Sequence, residues 1–188
     1  MKDPENRLYW RMNPRRMEAE QIRDALLAVS GELDLEMGGS GISNDEPRRS
    51  IYLRVFRNKR DPLLEAFDVP DGYRSMAGRN VTTTPPQALL MMNGEWVVDR
   101  ARATAQQLRM TSASCDEEFV EAAYGRIFSR APNSDEQAAG VRFLREQRHL
   151  VKHEGEAPGS EQEEKAAAEA LMDYCHVLLN ANEFFYVE

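Results

Sequence analysis

The chain has 188 residues, of which 41% are hydrophobic and 30% charged, enough apolar material for one core or two small helical lobes. It carries a formal net charge of −8; residues 1–80 balance 14 basic against 14 acidic side chains, while 81–188 hold 10 against 18. An acidic second half argues against a general nucleic-acid binder, which presents a basic face. No apolar run reaches the ~18 residues of a membrane span, and the opening "MKDPENRLYWRMNPRRM" lacks the apolar stretch of a signal peptide.

In chain order, Asn13 and Pro14 read as the cap and first position of a helix carrying Ile22, Ala25, Leu26 and Val29, with Gly31 as its left-handed stop. The stretch from Gly31 to Pro47, with Gly38, Gly39 and Gly41, reads as loop. A phosphate cradle needs a strand, then a glycine loop, then a helix. Here the glycines precede a strand pattern, so the order is wrong for one. "RRSIYLRVF" alternates Ile51, Leu53 and Val55 against Tyr52 and Arg54, predicting a short strand with Leu33–Met37 as its nearest partner.

Four helix starts follow from a Ser or Thr with Glu or Gln three positions later: Thr84/Gln87, Ser114/Glu117, Ser134/Gln137 and Ser160/Glu163. After Ser114, the residues Phe119, Val120, Ala123, Tyr124, Ile127 and Phe128 keep a helical spacing. After Ser160, Ala167, Ala170, Leu171, Tyr174, Leu178 and Ala181 do the same. Residues 153–160 read as a loop. The fold class is mainly α, a bundle-like domain of five or more helices with a small β element near residues 33–56. It reads as one domain over 1–188, with 1–80 and 81–188 as possible lobes.

Chemistry-bearing patterns are few. Arg48, Arg49, Arg54, Arg57, Lys59 and Arg60 form a basic run interleaved with Tyr52 and Phe56, able to grip phosphate or sulfate. The plainer reading pairs them with the chain's own carboxylates. His149 and His153 share a helix face at a spacing zinc can use, but no third ligand accompanies them and no metal site is expected. Cys115 and Cys175 allow at most one bridge and stand in no CxxC or CxxCH pattern, so covalent haem is not expected in this chain. Cys175 and His176, adjacent on a helix, point about 100° apart and cannot pair as nucleophile and base. Cys175 reads as a buried small hydrophobe.

"RNVTTTPPQALLMMN" is the most distinctive stretch. Thr84, Pro85, Pro86 and Gln87 are accounted for as a helix start. Arg79, Asn80, Thr82 and Thr83 then form a polar strip leading into a helix N-terminus, where anions are favoured. The candidate binding residues are therefore Arg48, Arg49, Arg79, Asn80, Thr82, Thr83 and Thr84; no catalytic set is complete.

Five ordered blocks, "RRMEAEQIRDALLAVSG", "RRSIYLRVFRNKRDPLLEAFDVPD", "TTTPPQALLMMN", "AAYGRIFSRAPNSDEQ" and "CHVLLNANEFFYVE", resemble the planctomycete-specific domain-one family, over about Leu8 to Glu188. Pro86 and Ala181 depart from its usual leucine-like residue and serine. The resemblance implies a C-terminal domain of a large exported, cell-envelope protein, excised here from upstream parts that include a cytochrome-like haem-binding segment. It also implies a role in redox or sulfated-polysaccharide metabolism, with no activity established for the domain itself. The expected function is a structural or interaction module whose partners are the upstream domains of the same polypeptide, without nucleic acid or membrane insertion. The alternative is an anion or sulfated-glycan half-site completed by those domains.

Overall fold

A computed structural model describes residues 3, 5–56, 58–73, 75–111, 115–153 and 160–187, the side chains of 151–153 and 160–162 excepted. Among the described residues are eight α-helices and a two-stranded ribbon, so the chain is mainly α as expected. The helices are α1 (Ala19–Ser30), α2 (Pro62–Ala66), α3 (Pro85–Asn93), α4 (Glu95–Thr111), α5 (Asp116–Phe128), α6 (Ser134–His153), α7 (Ser160–Leu179) and α8 (Asn182–Phe185). The ribbon pairs β1 (Arg15–Arg16) antiparallel with β2 (Tyr186–Val187).

The first helix starts later than Asn13–Pro14 predicts. Glu18 and Gln21 form its capping box, with the Glu18 N–H donating to Gln21 Oε1 at 2.9 Å, while Arg15 and Arg16 extend to pair with the far end of the chain. Its stop is as expected: Gly31 has φ +74°, a conformation in which only a residue without Cβ is unstrained. The buried face carries Ile22, Leu26 and Val29, as the spacing predicts.

The β element expected near residues 33–56 is reduced to isolated bridges, Asp34 with Arg48 and Ile42 with Leu53, and the regular ribbon lies at the chain's two ends instead. Ser50–Tyr52 is a 3-10 turn, not a strand. The cause is Asp24 on α1, whose Oδ1 accepts both the Ser50 N–H at 2.8 Å and the Ser50 hydroxyl at 2.6 Å. Beside it Arg23, 2% exposed, donates to the carbonyls of Asn44, Glu46 and Arg48 and to Ser50 Oγ. One buried guanidinium thereby fixes a segment that lacks a regular hydrogen-bond ladder.

Two other helix starts shift by one residue. Cys115, not Ser114, is the cap position of α5; Ser114 lies outside the described residues. For α6 the cap is Asn133, whose Oδ1 accepts the N–H groups of Asp135 and Glu136, and Gln137 reaches across to the Glu117 carbonyl instead. Asparagine outranks serine at this position and closes a box with Glu136, which accepts the Asn133 N–H at 2.8 Å. The Ser160 side chain and the loop expected at 153–160 lie outside the described residues, apart from the backbones of His153 and Ser160.

α7 packs along α4 and α6, α1 crosses α4, and α5 leans on α6. Most of the buried apolar residues form one cluster from Ala19 to Phe184, including Phe119, Leu144, Tyr174 and Cys175. In α7 the buried stripe is Ala166, Ala170, Leu171, Tyr174 and Leu178, with Ala166 in the place expected for Ala167. The cluster brings α2, α3, α8 and the ribbon to one end of the bundle, and there the strip from Arg79 to Gln87 lies.

Candidate functional site

Asp61 opens α2, its carboxylate accepting the Leu64 N–H at 3.0 Å, and the helix delivers Phe67 to the end of the bundle. Phe67 stacks on Phe185 of α8, ring centroids 5.9 Å apart, and Arg16 of β1 lies over Phe67 at 5.3 Å. These rings, with Met91 and Met92 of α3, line a hollow of about 220 Å³ whose polar rim includes Thr83, Thr84, Gln87, Asn180 and Asn182.

Gln87 organises that hollow. It is 3% exposed, and its Oε1 accepts from Arg16 Nη2 at 2.8 Å and from the Thr84 N–H at 3.3 Å. Its Nε2 donates to the Ala66 carbonyl at 2.8 Å and to Thr82 Oγ1 at 3.3 Å. The box predicted at Thr84/Gln87 is present, and the Gln87 N–H is also held by the Thr84 carbonyl at 3.1 Å. Every polar atom of this buried amide is satisfied.

Thr82 is also engaged. Its N–H donates to Asp68 Oδ2 at 2.8 Å and its hydroxyl to Asp68 Oδ1 at 2.8 Å, while its carbonyl accepts from Arg16 Nη1. Arg79 pairs with Glu20 at 2.5 Å and Glu18 at 3.3 Å. Burial pushes the Glu20 carboxyl up, but the Arg79 hydrogen bond and charge prevail, and its pKa is lowered. The Glu20 hydrogen bond in turn raises Arg79. Asn80 is exposed and, with Arg79, lines a second hollow of only about 20 Å³. Thr83 is exposed at the rim of the larger one.

Arg48 and Arg49 lie apart from this end and line neither hollow. Arg48 donates to the carbonyls of Glu36 and Gly38 at 2.8 and 2.6 Å, lies 4.0 Å from Asp34 and stacks over Tyr52 at 4.5 Å. Arg49 is exposed. The structure thus brings Arg79, Asn80, Thr82, Thr83 and Thr84 to one end and leaves Arg48 and Arg49 elsewhere.

No carboxylate, imidazole or thiol lines the larger hollow among the described residues; its polar lining is hydroxyl, amide and guanidinium. Cys175 is fully buried, its thiol pushed well up by burial. His176 Nε2 lies 2.8 Å from the Met91 carbonyl. His149 is exposed, the His153 side chain lies outside the described residues, and no group of three or more potential metal ligands occurs among those described. No described helix is long and apolar enough to cross a membrane.

Arg16, Phe67, Asn180, Asn182 and Phe185 were not singled out by sequence reasoning. Their only signal was membership of the blocks "RRMEAE", "LLEAFD" and "LLNANEFF", because the contacts that unite them span most of the chain.

No curated protein matches the chain, and no solved structure matches it either. A family model described as "PSD1: Protein of unknown function (DUF1553)" matches residues 1–144, which include the end-of-bundle strip and stop short of Asn180 and Phe185. Covering more than half of the sequence, this match establishes that the chain belongs to the PSD1 family.

Proposed function

We propose that this domain is a structural and interaction module of a larger exported polypeptide, docking onto neighbouring parts of it. The observation that supports this is where apolar surface is left uncovered. Twelve of the nineteen large apolar side chains that stay exposed among the described residues lie before Thr82, including Leu35, Met37, Val55, Phe56 and Tyr73. The long helices bury their own stripes, whereas the irregular first part holds its shape through polar bonds from Arg23, Asp24 and Arg48 and leaves apolar groups outward. Exposed apolar side chains gathered in one part of the chain supply area that a partner can cover.

Hydrophobic-dye binding tests the reading. The domain alone should enhance the dye's fluorescence, and the full-length polypeptide should do so less per domain. Equal enhancement in both would overturn it.

The second reading, an anion or sulfated-glycan half-site, rests on Asn80 and Thr83, whose side chains remain exposed at the end of the bundle that carries the hollow. Arg48, Arg79 and Thr82 already spend donors within the domain. A sulfate-dependent rise in Tm that Asn80→Ala or Thr83→Ala abolishes would favour this reading.

A further inference from the structure

Asp3 and residues 5–13 form a loop whose backbone is held closely while its apolar side chains are turned outward. The carboxylate of Asp3 accepts the N–H groups of Arg7 and Leu8 at 3.0 and 2.8 Å, and the Asp3 carbonyl accepts the Trp10 indole N–H at 2.9 Å. Asn6, 4% exposed, donates to the Arg11 carbonyl and to Asn13 Oδ1, both at 2.8 Å. Asn6 and Tyr9 both have φ +52°, a left-handed conformation that disfavours an aromatic residue. These bonds hold it. Yet Leu8 is 81% exposed, Tyr9 84%, Met12 68% and Trp10 52%.

We infer that the loop at Leu8, Tyr9, Trp10 and Met12 is a preformed docking site for a protein surface with an apolar hollow bordered by carboxylates. The inference rests on the module reading above and names the surface and partner chemistry that reading leaves open.

Tyr, Trp, Met and Arg are the side chains enriched where proteins meet, and a loop already locked in shape loses little freedom on binding. Charge sets the rim. Arg7 is paired with Glu5 at 2.5 Å, and Asp3 is spent on backbone N–H groups. Arg16 is turned onto Gln87 and Thr82. Arg11, lying over the Trp10 ring at 5.3 Å, and Arg15, exposed and following soon after Met12 in the chain, are the cations left. Carboxylates on the partner complement them.

An anionic lipid surface would also suit arginine and tryptophan. Two arginines fall short of the cluster of roughly four to eight basic residues that marks a segment binding anionic lipid, so the observations favour protein.

The test is hydroxyl-radical footprinting of the full-length polypeptide against this domain alone. Tyr9, Trp10 and Met12 should be oxidised at least several-fold more slowly in the longer protein. Leu8→Asp with Trp10→Ala should abolish protection at Tyr9 and Met12, and Arg11→Glu with Arg15→Glu should weaken it. Protection elsewhere in residues 31–81 without protection of this loop would overturn the inference and leave the module reading standing; protection nowhere would overturn both. Unchanged protection after charge reversal would overturn the carboxylate rim. Protection of the isolated domain by phosphatidylglycerol vesicles, or by raising its own concentration, would replace the protein partner with a membrane or a second copy and so overturn the inference.

Discussion

Gln87 and Arg16, far apart in sequence, meet through a 2.8 Å hydrogen bond that ties the start of α3 to the terminal ribbon. The same amide holds the Thr84 N–H, the Ala66 carbonyl and Thr82 Oγ1. Gln87→Ala should therefore cost about 2–3 kcal/mol, since it strands several buried groups. Thr84→Ala should cost only about 0.5–1 kcal/mol, at the low end for a cap. Denaturant unfolding of the two variants checks the order; a larger loss at Thr84 would mean that the box, not the buried amide, holds this end.

Arg23 makes four donations through two nitrogens. Arg23→Lys keeps the charge but loses the fork, and should destabilise by about 2–4 kcal/mol. Proteolysis should then cut first within 43–50. Stability unchanged in the lysine variant would show that charge alone suffices.

Gly140 sits inside α6, where alanine would ordinarily gain about 0.8–1 kcal/mol of helix propensity. A Cβ there would lie 2.4 Å from Tyr174 Oη and 2.8 Å from Val120 Cγ2. Gly140→Ala should lower Tm in spite of propensity, and Gly140→Ala with Tyr174→Phe should recover part of the loss. A stabilised single variant would contradict the close approach.

Arg130 binds Glu136 and Glu183 through paired bonds of 2.6–2.8 Å and faces Tyr124 at 5.1 Å. The Arg130 bonds, then the Asn133 N–H, depress the Glu136 carboxyl from 4.5 to about 2. A depressed carboxyl contributes stability above its unfolded pKa and loses it as pH falls through the folded one. The contribution of this latch should therefore be whole above pH 4.5 and decline toward pH 2. Denaturant unfolding across that range should show a shallower acid slope for Glu136→Gln than for the wild type; parallel slopes would refute the latch.

Cys115 is exposed and Cys175 is fully buried, its thiol pushed well up by desolvation. A chromogenic disulfide reagent should titrate one thiol at once in the native protein and two in denaturant. Two fast thiols in native conditions would place Cys175 at the surface.

What the sequence disclosed depended on distance along the chain. The stripes of α5 and α7 repeat within a turn or two, so Phe119, Val120, Ala123, Tyr174 and Leu178 were legible as core. The alternation around Ile51 was equally visible but misleading. A period of two makes a strand only where a neighbour supplies a ladder, and here Asp24 and Arg23 of a preceding helix capture the backbone instead. At the candidate site the local part, Thr84 to Gln87, was readable. The hollow was not, because Phe67, Phe185, Asn180 and Arg16 converge only after the chain has folded back on itself.

The pairing of Arg15 with Val187 has a consequence for synthesis. During translation, α1 to α7 emerge and can pack before β1's partner exists. Arg130 likewise waits for Glu183. The end of the bundle that carries the hollow is therefore sealed only once residues 183–187 have been made, and until then β1 is an open strand edge that a chaperone or a neighbouring nascent chain can occupy.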